Sequence, residues 1–191
     1  MAQTHFDPAR MVRFDLARGR VALDEASCRV LVPTDLLLEL CENAGQEALT
    51  NFGRRIGTEC GRRVVERLGQ EELSEANVST LLAHLGGELA LMGLGSLGVE
   101  RWGRALVMVF EGSPVGSRGD HLLAAVLEGA FQRLFGRDCS VVKLGRDDEL
   151  VRLLVVGAQT AAAAREALRK GTGWGELLSQ LHEASAQSER E

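Results

Sequence analysis

The sequence predicts an α+β domain in which an antiparallel sheet, built from hairpins, packs against helices. Three observations predict it. Two β-rich pairs, Val99–Trp102 with Arg104–Phe110 and Cys139–Leu144 with Glu149–Val156, are each joined by a short glycine-bearing turn and read as hairpins. Between them, Leu122–Phe135 repeats Leu123, Val126, Leu127, Ala130, Phe131 and Leu134 at helical spacing. Upstream, Gly53, Gly57 and Gly61 recur every four residues, which in a helix places them nearly in line on one face. Each interior glycine costs about 1 kcal/mol relative to alanine. A stripe of them is compensated only where another helix or a sheet approaches the backbone closely.

Taken in order, residues 1–10 read as a loose leader. Met11–Leu16 alternates, Ala17-Arg18-Gly19 turns the chain into Arg20–Leu23, and Cys28–Val32 is β-rich, giving two or three short strands ended by Pro33. Thr34 or Asp35 is expected to cap a helical region from about Asp35 to Leu68, broken near Gly45 or Asn51–Gly53 and stopped at Gly69. Leu73–Gly86 reads as the next helix, with Val78, Leu81, Leu82 and Leu85 on its buried stripe. Gly86–Gly98 reads as a strand-like lead into the first hairpin, and Gly112–Gly119 as a loop. Asp120 is expected to cap the Leu122–Phe135 helix, which Gly136-Arg137-Asp138 ends. After the second hairpin come an alanine-rich helix, Thr160–Lys170, and an amphipathic one marked by Trp174, Leu177, Leu178 and Leu181. The expected organisation is a leader (1–10), an α+β domain (11–157), a C-terminal helical extension (158–184) and a polar tail (185–191).

A chain of 191 residues supports one full core. Its net charge of −5 disfavours general attraction to nucleic acid or anionic membranes. No apolar run is long enough to span a bilayer, and Met1–Arg13 contains no signal-peptide core. Cys28, Cys41, Cys60 and Cys139 are scattered and form no C-x-x-C, which points to reduced thiols and a cytoplasmic location.

No motif carries a catalytic signature. Gly93-Leu94-Gly95-Ser96-Leu97-Gly98 matches G-x-G-x-x-G. A dinucleotide site, however, needs a strand before the motif and a helix after it. Here the order is reversed, and a bent or bulged strand is the reading. His5, His84, His121 and His182 lack metal-ligand spacing to one another or to a cysteine. Cys60 reads as a small buried core residue; a reactive thiol activated by Arg62 and Arg63 is the alternative. Asp147-Asp148 reads as turn chemistry. An enzyme would have to draw its polar groups from His84, His121, Glu88 and Glu128.

Across Gly19–Val156 the chain resembles the vinyl-4-reductase-type, hydrocarbon-binding domain family. Three blocks carry the resemblance: Gly19–Leu23 through Arg29–Pro33; Ala44-Gly45 through Phe52-Gly53-Arg54-Arg55-Ile56-Gly57-Thr58-Glu59-Cys60-Gly61; and Leu81–Gly86 with the Val99–Phe110 hairpin and Leu127–Phe131. The second block is similar to the sensor domain of bacterial aromatic-responsive transcription activators. The resemblance implies the fold of the small TRAPP vesicle-tethering subunits. It further implies a pocket between the glycine-bearing helix and the Leu122–Phe135 helix, over the sheet, with Leu49, Phe52, Ile56, Trp102, Phe110, Val126, Phe131 and Leu134 as candidate lining; the alternative is that these residues simply fill the core. Many ligand-sensing members carry a cysteine-rich metal site near the last hairpin. Here Lys143–Val155 has neither cysteine nor histidine, so no metal and no cofactor is expected.

The resulting expectation is a cytoplasmic, non-enzymatic regulatory or scaffold module. It would form a homodimer through its helical face, with Gly53, Gly57 and Gly61 allowing close helix packing, and would meet a protein partner through residues 158–184. It would also bind a small apolar ligand. The alternative is a sensor of a hydrocarbon, aromatic or tetrapyrrole molecule, or an accessory subunit of a metabolic enzyme.

Overall fold

The computed structural model describes residues 11–23, 27–75, 77–103 and 105–188. The expected leader lies outside them, as do Arg104 and residues 189–191 of the expected tail. The chain opens with β1 (Val12–Asp15), β2 (Arg20–Leu23) and β3 (Ser27–Arg29), an antiparallel three-stranded sheet in sequence order. Helices α1 (Thr34–Ala44), α2 (Gln46–Glu75) and α3 (Val78–Leu91) follow. The hairpin β4 (Ser96–Trp102) and β5 (Ala105–Glu111) leads, through a short 3-10 turn, to α4 (Asp120–Phe135). The chain ends with β6 (Ser140–Asp147), β7 (Leu150–Val156), α5 (Ala158–Arg169) and α6 (Trp174–Ser188).

Hairpin strands β4 to β7 form one antiparallel sheet in the order β4-β5-β7-β6. Alternation along each strand divides its side chains between two faces. Met108, Phe110, Val151 and Leu153 face the α2, α3 and α4 layer. Val107, Val109, Val142 and Leu154 face Ala161, Ala164, Leu177 and Leu178 of α5 and α6. The C-terminal helices therefore form the third layer of the fold, their apolar stripes covering the second face of the sheet.

The glycine stripe finds its partner inside the chain. It packs α2 against α4, the most extensive helix–helix contact of the structure. A Cβ built on Gly57 would lie 1.8 Å from the carbonyl oxygen of Val126, and one on Gly129 would lie 2.0 Å from that of Arg54. The two backbones therefore approach more closely than any side chain permits.

Several boundaries differ from expectation for local reasons. Pro33, not Thr34 or Asp35, occupies the N-cap of α1, and no side chain caps that helix. The break falls at Gly45, and Gly69 interrupts α2 with a non-helical φ of 70° and ψ of 170°. Helix α3 begins later than Leu73 because Asn77 caps it, its side chain accepting a hydrogen bond from the Thr80 N–H at 2.8 Å. It then runs through Gly86 and Gly87, because fully buried Leu85 and Leu89 keep its inner stripe in phase. The glycine after it, Gly93, has φ of 71°. The Leu94 N–H reaches back to the Leu89 carbonyl at 3.0 Å, a left-handed helix stop. The G-x-G-x-x-G run thus begins at the negative end of a helix dipole, opposite to what a phosphate requires. In the second hairpin Gly145 and Arg146 belong to β6, with a register shift between Lys143 and Gly145, and the turn is Asp148-Glu149. Helix α6 continues to Ser188, past the point where a polar tail was expected.

Candidate functional site

The break at Gly45 places the last turn of α1 and the first turn of α2 beside the start of α4. Between them lies a partly enclosed cavity of about 250 Å³, lined by Cys41, Glu42, Gln46, Leu49, Arg118 and His121, with Gly45. Its floor is apolar: Leu49 and Cys41 are buried. Its rim is polar. Arg118 grips Glu42 with both arms of its guanidinium, Nε donating to Oε1 at 2.9 Å and Nη2 to Oε2 at 2.7 Å. This two-point contact holds the Glu42 carboxyl below its ordinary pKa, so at neutral pH Glu42 is an ionised, occupied carboxylate and a poor general base. Burial, with the nearby Glu42 charge second, pushes the Cys41 thiol up, keeping it a neutral, weak hydrogen-bond donor. His121 and Gln46 are exposed at the mouth, and each can both donate and accept. Buried Leu49 and Cys41 together with Glu42, Gln46, Arg118 and His121 make a lining more polar than apolar, able to hold a small ring or chain by its polar substituent.

The expected pocket residues divide between several places. Leu49, Phe110, Val126, Phe131 and Leu134 lie in the core between the sheet and the helices, and Ile56 packs on that core from α2. Leu49 also lines the cavity just described. Phe52 is exposed on α2. Trp102 sits at the end of β4 with its ring edge-on to Trp174 of α6 at 5.3 Å, on the opposite side of the sheet. A second, wider groove of about 530 Å³ runs between α3 and β4. Its walls are Ala83, Gly86, Gly87, Ala90 and the Gly93–Leu97 turn, which offer main chain and small side chains rather than a convergent polar set.

The carboxylates an enzyme would need are engaged elsewhere. Glu88 is fully buried and accepts hydrogen bonds from Arg63, at 2.7 Å, and from Arg67. Glu128 accepts from Arg54 at 2.8 Å and from the Val141 N–H at 3.0 Å. Asp120, expected as a cap, is instead a buried first-turn residue of α4 that pairs with Arg146 at 2.5 Å and Lys143 at 2.6 Å. Arg146 reaches it from the shifted stretch of β6, a partner that local sequence does not reveal. No group of acids, histidines and cysteines able to hold a metal occurs among the described residues. No described helix is long and apolar enough to cross a membrane.

Cys60 lies within the core and has no solvent exposure. Burial, reinforced by the Glu88 charge and opposed by Arg63, pushes its thiol up to about 12. Only a minute fraction is thiolate at pH 8, and reagents have no path to it. Alkylation with iodoacetamide at pH 8 followed by peptide mapping is expected to leave the Cys60 peptide unmodified in native protein and to modify it in denaturant. Rapid native labelling of that peptide would contradict the buried assignment.

No protein-family model matches the chain, and no curated protein matches it either. Solved structures do match. Among them is the crystal structure of the phenol-responsive sensory domain of the transcription activator PoxR with phenol, at a TM-score of 0.59 and 16% sequence identity. The match covers 79% of this chain and 87% of that one. At this identity the likeness is one of fold: the chain shares the α+β architecture of that domain.

Proposed function

We propose that this chain is a regulatory module that senses a small, largely apolar molecule bearing one polar group, of the size of a phenol. The observation that carries the reading is the cavity at the α1–α2 break, with its apolar floor and polar rim, in a fold shared with a phenol-responsive sensory domain. The volume of about 250 Å³ is below the usual range for drug-sized ligands and accommodates a single ring. Cys41 and Leu49 are shared between this cavity and the core cluster that holds Phe110, Val126, Phe131 and Leu134. Kinship with the vinyl-4-reductase-type and TRAPP-type families, a non-enzymatic role and a cytoplasmic location belong to the same reading. So do a homodimer and a protein partner meeting the outer faces of residues 158–184.

The test is calorimetric titration with phenol and a panel of monosubstituted benzenes, paired with thermal melts. A ligand present at about 100 times its dissociation constant stabilises the fold by about 2.7 kcal/mol, a readily measured shift in Tm. Gln46→Trp, at an exposed position on the cavity mouth, is expected to weaken binding at least tenfold while leaving the unliganded Tm unchanged. Binding that is indifferent to this substitution would move the site elsewhere. The absence of binding across the panel would remove the aromatic ligand from the proposal.

A further inference from the structure

The cavity at the α1–α2 break carries a charge pattern as well as a shape. Asp35, Glu39 and Glu42 follow one another at spacings of four and three along α1, which lines them up on one face of the helix. Of the three, Glu42 lines the cavity, beside Arg118. The hydrogen bonds and charge of Glu42 raise the Arg118 pKa, and the charges of Asp35 and Glu39 raise it further. One guanidinium therefore answers three carboxylates, on a helix that carries no basic residue. The first turns of α2 and α4, which supply Gln46 and His121 to the lining, are the positive ends of their helices. Each already holds a carboxylate of its own, Glu47 in α2 and Asp120 in α4. The cations near the second turn, Arg146 and Lys143, are taken up by Asp120 and do not line the cavity.

We infer that Glu42 determines the specificity of this cavity: it accepts a hydrogen bond from the ligand's polar group, so that the site takes uncharged rings bearing a donor, phenols and anilines, and turns away aromatic carboxylates. The inference rests on the sensing role proposed above and narrows its ligand class. Each Glu42 oxygen takes one hydrogen bond from Arg118, Oε1 from Nε at 2.9 Å and Oε2 from Nη2 at 2.7 Å. A carboxylate has about four lone-pair sites, so each oxygen keeps one open for a ligand O–H or N–H. The clamp holds the carboxylate in place, which spares the ligand the cost of ordering it. An anionic ligand meets the reverse. Arg118, the one arginine of the lining, already commits its Nε–Nη2 edge to Glu42. Displacing Glu42 from it would leave that carboxylate unpaired on the same helix face as Asp35 and Glu39. Like charges brought together in this way oppose binding.

Titration calorimetry of the full chain at pH 7 with phenol, anisole and benzoate tests the selectivity. Anisole keeps the ring and loses the donor; benzoate keeps the ring and adds the charge. Wild-type protein is expected to bind phenol at least about tenfold more tightly than either. Glu42→Gln keeps the shape and removes the charge, and is expected to shrink the phenol-to-benzoate affinity ratio by about tenfold or more. If that variant fails to fold, the order of the three ligands on wild-type protein still decides. Benzoate or anisole binding as tightly as phenol overturns the role of Glu42 and leaves the sensing function standing. So does a ratio that Glu42→Gln leaves unmoved in folded protein. If none of the three binds, the sensing of an aromatic ligand falls, and the selectivity falls with it.

Discussion

Gly57→Ala is expected to be the most destabilising single-methyl change in this chain, by about 3 kcal/mol or more. In an isolated helix the same substitution stabilises by about 1 kcal/mol, so the sign itself is diagnostic. The added Cβ would lie 1.8 Å from the Val126 carbonyl oxygen, 2.8 Å from the Val126 carbonyl carbon and 2.7 Å from the Ala130 nitrogen. All three are backbone atoms of α4 and cannot move aside alone. Relief requires α2 and α4 to separate, which opens the core around Cys60, Val64, Val126 and Leu127 and adds a cavity term to the overpacking cost of about 1–3 kcal/mol. At Gly61 the nearest atoms would be the Arg133 Cβ at 2.9 Å and the Ala130 carbonyl oxygen at 3.0 Å. Those contacts are about 1 Å less severe than at Gly57 but still force a shift of α4, and a smaller loss, of about 1–2 kcal/mol, is expected there. Urea unfolding of the two variants checks the order. A Gly57→Ala protein with an unchanged or higher midpoint would show that the helices are not in this contact.

The close packing of that stripe was legible in the sequence, but its partner was not. Four-residue glycine spacing is a local pattern. That it meets α4, which begins more than fifty residues later, depends on the route the chain takes through the first hairpin. The order of strands and helices was equally legible, because hairpin turns and helical periodicity are local. Boundaries went astray where a residue type has two uses. Gly86 and Gly87 look like breakers, yet they continue α3 because the leucines around them keep the inner stripe in phase. Asp120 looks like a cap, yet its carboxylate turns inward to Arg146 and Lys143. The cavity at the α1–α2 break carried no sequence signal beyond Gly45 itself. Its rim joins Glu42 to Arg118 across 76 positions, and nothing near either residue announces the other. Trp102 shows the same gap: an aromatic at a strand end takes whichever side the strand presents, and here its ring meets Trp174 of α6.

Glu88→Ala is the second large effect, with an expected loss of about 3–5 kcal/mol. The carboxylate has no solvent exposure and sits between Arg63, itself 5% exposed in its side chain, and Arg67. Removing it takes the carboxylate away from the buried Arg63 guanidinium and from Arg67, which is only partly open to water. That desolvation cost, added to the lost α2–α3 tie, is what the measurement reads, not the intrinsic worth of the ion pair. The distinction is testable in the same protein. Replacing both Glu88 and Arg63 by leucine or methionine removes the buried charges together, and the double variant is expected to be more stable than Glu88→Ala by at least about 2 kcal/mol. Arg67→Ala is expected to cost less than Arg63→Ala, since its side chain is 21% exposed and water takes over part of its role. If the double variant were instead as unstable as Glu88→Ala, the carboxylate would be holding α3 to α2 by geometry that no apolar packing replaces. The triad would then be a positional lock between the two helices that frame the core rather than a balanced set of charges.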